Sequence, residues 1–251
     1  MKALILAAGY ATRLYPLTKE YPKPLLTVAR RPLIDYILDK LNGVPEIDEI
    51  IVVTNSKFFR KFKKWSKTAV SSKRLSIIDD LTKSQNDRRG AIGDIYFAVT
   101  KKRLKDNLVV VGGDNLFDSN LGEFLSFAKS KHPHPVIGAY DIKIKSRAAK
   151  YGVISLDAKK IIIDFKEKPA RPSSSLVAMC LYYFPRTKLG LVKEYLRSKS
   201  NKNDATGFYI DWLRRRDKVY AFIFGGRWYD IGQYKFYQEA NKQFLKQGGF
   251  A

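Results

Sequence analysis

The chain begins with Met1-Lys-Ala-Leu-Ile-Leu-Ala-Ala-Gly-Tyr-Ala-Thr-Arg13, followed shortly by Tyr21-Pro-Lys-Pro-Leu-Leu26, and this segment is the most informative about the fold. The apolar run over residues 3–7 has the length and composition of a buried strand. Prolines at positions 16, 22 and 24 exclude regular helix from the next segment, and helical periodicity resumes only at residue 32. A strand, a loop and a helix in this order are typical of an anion site at the carboxyl end of a parallel strand.

The loop after this strand carries small residues and two cations. Ala8 and Gly9 leave room for backbone N–H groups to approach phosphate oxygens, and Arg13 and Lys23 supply positive charge. These residues alone fit two interpretations, a phosphate-binding loop and an ordinary strand–loop–helix connection with solvated charges.

Strand-like and helix-like segments alternate up to about residue 140. This alternation predicts an α/β fold with a Rossmann-like, mostly parallel sheet flanked by helices. Beyond it, strand-like runs over 151–156, 160–165 and 176–184 are not separated by long helices, which predicts a small mixed or antiparallel annex. We expect a single domain over residues 1–251, with a core over about 1–140 and the annex and closing elements over about 141–251.

The composition is that of a globular protein. Hydrophobic residues make up 45 % of the 251 residues, enough for a buried core. No apolar run approaches the roughly 20 residues of a membrane span, and the first strand lacks the features of a signal peptide. The single cysteine, Cys180, excludes an internal disulfide and is expected to be a small buried residue rather than a nucleophile. We expect a cytoplasmic protein without a membrane partner.

The charge balance is strongly basic. The 47 lysines and arginines exceed the 24 acidic residues, giving a net charge of +23 that attracts polyanions. The densest group of cations lies over residues 57–67, between Phe58, Phe62 and Trp65. Because these aromatics recur at helical spacing, we expect them to form the buried face of an amphipathic helix. A nucleic-acid-binding surface is the alternative.

The opening stretch, with its Leu-Ala-Ala-Gly-Tyr-Ala-Thr-Arg and Pro-Lys-Pro-Leu-Leu segments, resembles the sugar-1-phosphate nucleotidylyltransferases. Enzymes of this family join a nucleoside triphosphate to a sugar phosphate and release pyrophosphate. The resemblance implies that Leu6, Ala8 and Gly9 bind the nucleotide. It also implies that Arg13 and Lys23 act in catalysis by stabilising the triphosphate and the departing pyrophosphate.

Two aspartates are candidate metal ligands. In Val109-Val-Val-Gly-Gly-Asp114, a strand ends in two glycines before a carboxylate, which suits Mg²⁺ but is also common in plain turns. The resemblance implies that Asp114 contacts the nucleotide and shares Mg²⁺ with Asp230. Without the resemblance, Asp230 would be predicted as the N-cap of a final helix over 231–247.

The resemblance also extends to the residues that contact the base and the acceptor in the family. Gln85 precedes Gly90 by five residues, the spacing at which the family contacts the base. In the annex, the residues that resemble the family's sugar-phosphate site are Tyr151, Gly152, Glu167, Lys168 and Val177. There, the carboxylate would accept hydrogen bonds from sugar hydroxyls and the lysine would hold the acceptor phosphate as a point charge.

Three residues depart from the family pattern. Ala11 replaces a glycine and is strained if its φ is positive. Asp94 is unexpected in the base-binding segment and leaves the base open. Cys180 stands where a glycine is often found, which predicts a narrower or differently shaped sugar pocket.

The predicted reaction is Mg²⁺-dependent, in-line attack of a sugar-1-phosphate on the α-phosphorus of a nucleoside triphosphate, giving a nucleotide sugar and pyrophosphate. It requires no general base, because the acceptor phosphate is already a dianion. One alternative is a cytidylyltransferase that acts on choline phosphate or inositol phosphate. Another, from a different class, is a basic nucleic-acid-binding module. The base, the acceptor and the formation of a homo-oligomer stay open.

Overall fold

The computed structural model describes residues 1–198, 204–232 and 234–246. Its helices are α1 (Leu33–Asn42), α2 (Ser56–Trp65), α3 (Gly90–Lys101), α4 (Leu121–Ser130), α5 (Lys145–Ala148), α6 (Gly190–Arg197), α7 (Thr206–Arg214) and α8 (Tyr234–Lys246). Its strands are β1 (Lys2–Leu6), β2 (Thr27–Val28), β3 (Arg31–Pro32), β4 (Glu49–Thr54), β5 (Arg74–Asp79), β6 (Leu108–Gly112), β7 (Asn115–Phe117), β8 (Val136–Asp141), β9 (Gly152–Leu156), β10 (Ile162–Glu167), β11 (Leu176–Phe184), β12 (Tyr220–Phe224) and β13 (Trp228–Asp230).

Contacts between residues divide the chain into two compact units, each built from separate stretches of sequence. The first unit contains Met1–Arg88, Val111–Ser119 and Gly226–Ala251, and the second contains Arg89–Val110 and Asn120–Gly225. The division of one domain near residue 140 stays a prediction.

The first unit is organised around three parallel strands, with β4 between β1 and β5. All six residues of β4 are buried, as expected of an apolar strand covered on both faces. Helix α2 packs against β4 and β5 through Phe58, Phe62 and Trp65, which are 1 %, 0 % and 8 % exposed. The predicted amphipathic helix is therefore confirmed, with its cations on the outer face.

Two short antiparallel pairs complete the first unit. Strand β2 pairs with β3, and β7 pairs with β13. Helix α8 closes over these pairs, and its Phe244 packs in one apolar cluster with Leu33, Leu116 and Ile231. The carboxyl-terminal segment is thereby fixed to the segment that follows the opening loop.

The second unit contains a mixed sheet. Strand β9 pairs antiparallel with β10 and β11, and β8 pairs antiparallel with β11 and parallel with β12. An isolated bridge between Ile161 and Tyr220 links the two ends of this strand series. Helices α3, α6 and α7 pack together beside it around the buried rings of Tyr195 and Tyr209.

The predicted fold class, an α/β fold with a mostly parallel, helix-flanked sheet and a mixed annex, is confirmed. Two local expectations are wrong. The last helix begins at Tyr234 rather than at residue 231, and Cys180 is half-buried rather than buried, because it lies on the less covered face of β11. Within the described ranges, no helix combines the length and the apolar character needed to cross a bilayer.

Candidate active site

The opening loop is anchored at its start by a buried asparagine. The Ala7 N–H donates to the Val53 carbonyl at 2.9 Å, continuing the β1–β4 ladder, and Asn55 Nδ2 donates to the Ala8 carbonyl at 2.8 Å. Asn55 is fully buried, and its Oδ1 accepts the Phe58 N–H at 3.0 Å as the N-cap of α2. One side chain thus fixes both the end of the first strand and the start of a helix. The cap signal was present in the sequence, whereas the bond to Ala8 was not predictable.

Ala11 adopts the left-handed conformation, with φ 47° and ψ 42°. Its carbonyl accepts hydrogen bonds from the Leu14 N–H at 3.0 Å and from the buried Thr18 hydroxyl at 2.7 Å. These bonds hold the loop in a conformation that costs an alanine roughly 1–2 kcal/mol relative to its preferred backbone angles. The φ of Ala11 is therefore positive, which is the condition under which we expected this alanine to be strained.

The exposed part of the loop carries Gly9 and Arg13. A Cβ placed on Gly9 would meet no atom within 4 Å. The Arg13 guanidinium is exposed, and no hydrogen bond or ion pair joins it to another residue of the described chain. Both residues are therefore accessible to an anion approaching the loop.

Lys23 and Asp114 form the central ion pair of the first unit. Lys23 Nζ lies 2.5 Å from Asp114 Oδ2, and the two side chains are 10 % and 37 % exposed. The Gly113 N–H donates to the Leu6 carbonyl at 2.8 Å, so the end of β6 lies beside the end of β1. A Cβ on Gly113 would stand 2.8 Å from the Leu6 oxygen and 2.9 Å from Pro24 Cγ, so this close approach requires glycine. Three residues that the sequence predicted for the site, Leu6, Lys23 and Asp114, are thus brought together here.

Asp230 lies on β13, not at a helix start. In the β7–β13 pair it is directly opposite Asn115, the residue after Asp114. The pairing is reinforced by a 2.7 Å hydrogen bond from Trp228 Nε1 to Asn115 Oδ1. A Cβ on Gly232 would lie 3.0 Å from Asp230 Oδ2, so glycine preserves space beside this carboxylate. The N-cap interpretation is wrong, because α8 begins four positions later and the carboxylate belongs to a strand that the sequence did not reveal.

The two aspartates have the donor chemistry of a magnesium site. Carboxylate oxygens are the ligands that Mg²⁺ takes from proteins, usually one or two of them, with water and phosphate oxygens in the remaining positions. In the described part of the chain there is no cluster of three or more histidine, cysteine or acidic side chains suited to a metal ion. Asp114 and Asp230 supply two carboxylates, a number that Mg²⁺ often takes, and the pairing of β7 with β13 places Asp230 opposite Asn115.

The predicted base-contact residues lie in different units. Gln85 is half-buried in a loop of the first unit, where Asp87 accepts the backbone N–H groups of Lys83 and Ser84 at 2.9 and 2.7 Å. These hydrogen bonds lower the pKa of Asp87. Gly90, in the second unit, opens α3 with φ 74°, a backbone angle that favours glycine. Asp94 is buried one turn into that helix.

The annex residues predicted for the sugar site lie together in the second unit. The β9–β10 register places Glu167 opposite Gly152, and the Lys168 N–H donates to the Tyr151 carbonyl at 3.0 Å. Val177 of β11 pairs with the residue that follows Gly152. Lys168 has φ 46°, so its backbone is strained at a predicted functional position.

The Glu167 carboxylate is held in a narrow space between two glycines. Its side chain is 12 % exposed, and a Cβ on Gly207 or Gly152 would come within 2.0 or 3.1 Å of Oε2. Burial raises the pKa of Glu167, and the Lys168 ammonium, 3.7 Å from Oε1, opposes this only in part. Gly207 lies in the first turn of α7 and was missed, because nothing local in the sequence pairs it with a residue forty positions earlier.

A buried tyrosine, Tyr182, lies near Glu167. The Tyr182 hydroxyl and Thr206 Oγ1 share a 2.5 Å hydrogen bond, and Tyr182 is almost fully buried. Burial raises the pKa of Tyr182 well above its usual value, and the nearby Cys180 and Glu167 add to this. Cys180, noted as a departure from the family pattern, and Glu167 thus both lie near the Tyr182 hydroxyl.

Comparisons with known proteins identify the family to which the chain belongs. A protein-family model described as "Nucleotidyl transferase" matches residues 2–247. The bifunctional protein GlmU of Methanocaldococcus jannaschii is 29 % identical over 98 % of this chain and 54 % of its own length. A Sulfolobus acidocaldarius protein with the provisional name mannose-1-phosphate guanyltransferase is 29 % identical over 98 % of this chain and 63 % of its own length.

The solved structures give a similar picture. A UDP-glucose pyrophosphorylase crystallised with UDP-glucose superimposes with a TM-score of 0.82 over 98 % of both chains, at 22 % identity. At this identity the likeness demonstrates a shared fold only. The chain spans about half to two thirds of the length of the two curated relatives.

Proposed function

Because the chain belongs to the nucleotidyl transferase family, we propose that it transfers a nucleotidyl group from a nucleoside triphosphate to a sugar-1-phosphate, giving a nucleotide sugar and pyrophosphate. The observation that carries this proposal is the Lys23–Asp114 ion pair at the adjoining ends of β1 and β6, next to the loop that carries the exposed Gly9 and Arg13. Cations and backbone N–H groups at the carboxyl ends of parallel strands are suited to a triphosphate.

On the donor side, the loop would bind the triphosphate. Its N–H groups near Ala8 and Gly9, together with Arg13 and Lys23, would neutralise the phosphate charge. An oxygen of the acceptor phosphate attacks the α-phosphorus, forming a new P–O bond while the bond to the β-phosphate oxygen breaks. Pyrophosphate leaves with that electron pair. Positioning and charge neutralisation supply the catalysis, so no general base is needed.

On the acceptor side, the annex residues would select the sugar. The ionised Glu167 can only accept hydrogen bonds, which suits sugar hydroxyls, and Lys168 would pair with the acceptor phosphate. Gly152 leaves room for a ring to approach the backbone, while Tyr151 and Val177 complete this group. The support is the β9–β10 register, which brings four of these residues together.

Mg²⁺ is the metal that suits this donor set. Asp114 and Asp230 would hold it, and it would neutralise phosphate charge when bound. The pairing of Asp114 with Lys23 means that the carboxylate already has a cationic partner without the metal.

The nucleic-acid interpretation loses one of the features that motivated it, the aromatic residues of the 57–67 cluster, while the net charge of +23 remains. Phe58, Phe62 and Trp65 lie on the buried face of α2 and are therefore unavailable for stacking on bases. The cations on the outer face of α2 form an ordinary solvated helix surface.

A pyrophosphate-release screen tests the proposed function. Five nucleoside triphosphates are combined with sugar-1-phosphates, choline phosphate and inositol phosphate, with Mg²⁺ or with EDTA. We expect release only when a triphosphate, a sugar-1-phosphate and Mg²⁺ are all present. Turnover with choline or inositol phosphate instead would move the chain to the alternative acceptor class, and no turnover with any pair would refute the assignment.

A further inference from the structure

The second unit contains a cleft that the proposed reaction does not use. It has a volume of about 660 Å³ and lies between the carboxyl-terminal half of α3 and the turn that precedes α6. This volume falls within the range of about 300–1,000 Å³ that small-molecule sites occupy. None of the residues assigned above to the nucleotide, the sugar or the metal lines it.

The inner wall of the cleft is apolar. Tyr96 and Val99 come from α3, Leu104 follows that helix, and the buried Leu189 precedes α6. The half-buried Tyr96 ring offers a flat surface to an aromatic or aliphatic group.

The rim of the cleft is cationic. Lys105, Arg186 and Lys193 line it with exposed side chains, and none of the lining residues is acidic. No hydrogen bond or ion pair joins these three side chains to another residue of the described ranges. Glu194, next to Lys193 in sequence, is turned to Arg216 at 3.6 Å. Three cations without an acid favour a ligand that carries at least two negative charges.

The backbone that carries these groups is fixed before any ligand arrives. The Leu104 N–H donates to the Val99 carbonyl at 2.9 Å, and the Arg186 N–H donates to Asn107 Oδ1 at 2.9 Å. The turn at 186–188 is tied down further by Lys188 Nζ, 2.6 Å from Asp217 Oδ2. A pre-formed wall lowers the entropic cost of binding.

We propose that this cleft binds a small organic phosphate, with its aromatic or apolar part against Tyr96 and Leu104 and its phosphate groups at Lys105, Arg186 and Lys193. Arginine suits this role because its planar fork can donate two hydrogen bonds to one phosphate. The proposal concerns binding alone and is independent of the proposed reaction.

Hydrogen–deuterium exchange on the full chain, with uridine diphosphate as the probe and EDTA present, tests the proposal. We expect saturable protection of peptides covering residues 96–107 and 186–193. The Arg186→Glu variant should raise the concentration of uridine diphosphate that gives half-maximal protection at least tenfold. The matched control, Lys159→Glu, changes an exposed lysine of the same unit outside the cleft and should leave protection intact.

Two further variants separate the contribution of the Tyr96 ring from that of the cations, and the cleft from the proposed triphosphate site. Tyr96→Ala should weaken protection by uridine diphosphate but not by inorganic pyrophosphate. Lys23→Ala, which disables the proposed triphosphate site, should leave the cleft protected, so failure of the reaction and failure of the cleft are distinguishable. The proposal is overturned by absent protection, by equal effects of Arg186→Glu and Lys159→Glu, or by pyrophosphate binding as tightly as uridine diphosphate.

Discussion

The ammonium group of Lys23 lies 2.5 Å from a carboxylate oxygen of Asp114, so two residues 91 positions apart in the chain share one ion pair. The lysine is mostly buried and the aspartate is half-exposed, which leaves the carboxylate accessible while its charge is compensated. The arrangement holds a metal-ligand candidate and a phosphate-binding candidate side by side before substrate arrives.

Replacing Lys23 with methionine should lower turnover by about 10²–10³, because one electrostatic contact to the phosphates is removed. It should also lower the free energy of unfolding by about 1–2 kcal/mol, since Asp114 loses its partner but keeps access to water. Pyrophosphate release and urea unfolding measure the two effects. Lys57→Met is the control, because Lys57 pairs with Glu20 at 3.5 Å elsewhere in the same unit. Near-normal turnover of Lys23→Met would contradict its catalytic role.

Replacing Ala11 with glycine should stabilise the protein by roughly 0.5–1 kcal/mol. Glycine removes the cost of about 1–2 kcal/mol of the left-handed backbone, and this exceeds the extra entropy of the unfolded chain, about 0.4–1 kcal/mol. The urea midpoint of unfolding measures the change. Ala98→Gly, in the interior of α3, should destabilise by at least about 1 kcal/mol. If both variants destabilise equally, Ala11 is not strained.

Glu167→Gln should separate stability from activity. Because burial raises the pKa of Glu167 in the folded protein, the ionised form costs stability above that pKa, and the cost disappears as the pH falls below the ordinary glutamate value. The neutral amide should therefore raise the free energy of unfolding at pH 7 but not at pH 4. At pH 7 the apparent KM for the sugar phosphate should rise at least tenfold.

Glu123→Gln is the matched control for that experiment, because Glu123 is an exposed glutamate in the first turn of α4. This variant should leave both the free energy of unfolding and the KM for the sugar phosphate nearly unchanged. Loss of stability at pH 7 in Glu167→Gln, with an unchanged KM, would mean that the carboxylate serves the fold rather than the sugar.

Gly207→Ala should impair acceptor binding and destabilise the second unit, because the new Cβ would stand 2.0 Å from Glu167 Oε2 and 2.7 Å from Phe165. Displacing the carboxylate should raise the KM for the sugar phosphate more than that for the triphosphate. Gly190→Ala is the control, since its Cβ would enter open space at the start of α6. That variant should be as active as the unchanged protein, and equal behaviour of the two would exclude the close approach at Gly207.

Asp217 should contribute stability that is lost in acid. Burial alone would raise its pKa, but hydrogen bonds and charges from Lys188 and His134 outweigh burial and lower it. A lowered folded-state pKa means that the contribution is present above the ordinary aspartate pKa and disappears as the pH falls through the folded-state value. Urea unfolding of Asp217→Asn should therefore show a deficit at pH 7 that shrinks towards pH 3. A deficit that does not vary with pH would indicate a packing effect instead.

Long elements were predictable because their periodicity is local. The predicted strand over 176–184 coincides with β11, and the helical periodicity that resumes at residue 32 corresponds to α1, which begins at Leu33. The pairs β2–β3 and β7–β13 were not predicted, since strands of two or three residues carry no periodic signal. Without the family resemblance, Asp230 would have been predicted as a helix cap for this reason, whereas it pairs with β7.

The order of the longer strands and helices, the buried face of α2 and membership of the family follow from the sequence alone, because apolar periodicity and short motifs lie in contiguous residues. By contrast, the contact of Lys23 with Asp114, the left-handed backbone of Ala11 and the approach of Gly207 to Glu167 became visible only in the folded chain. These relationships depend on how distant segments pack, and packing is a property of the folded chain that no local pattern encodes.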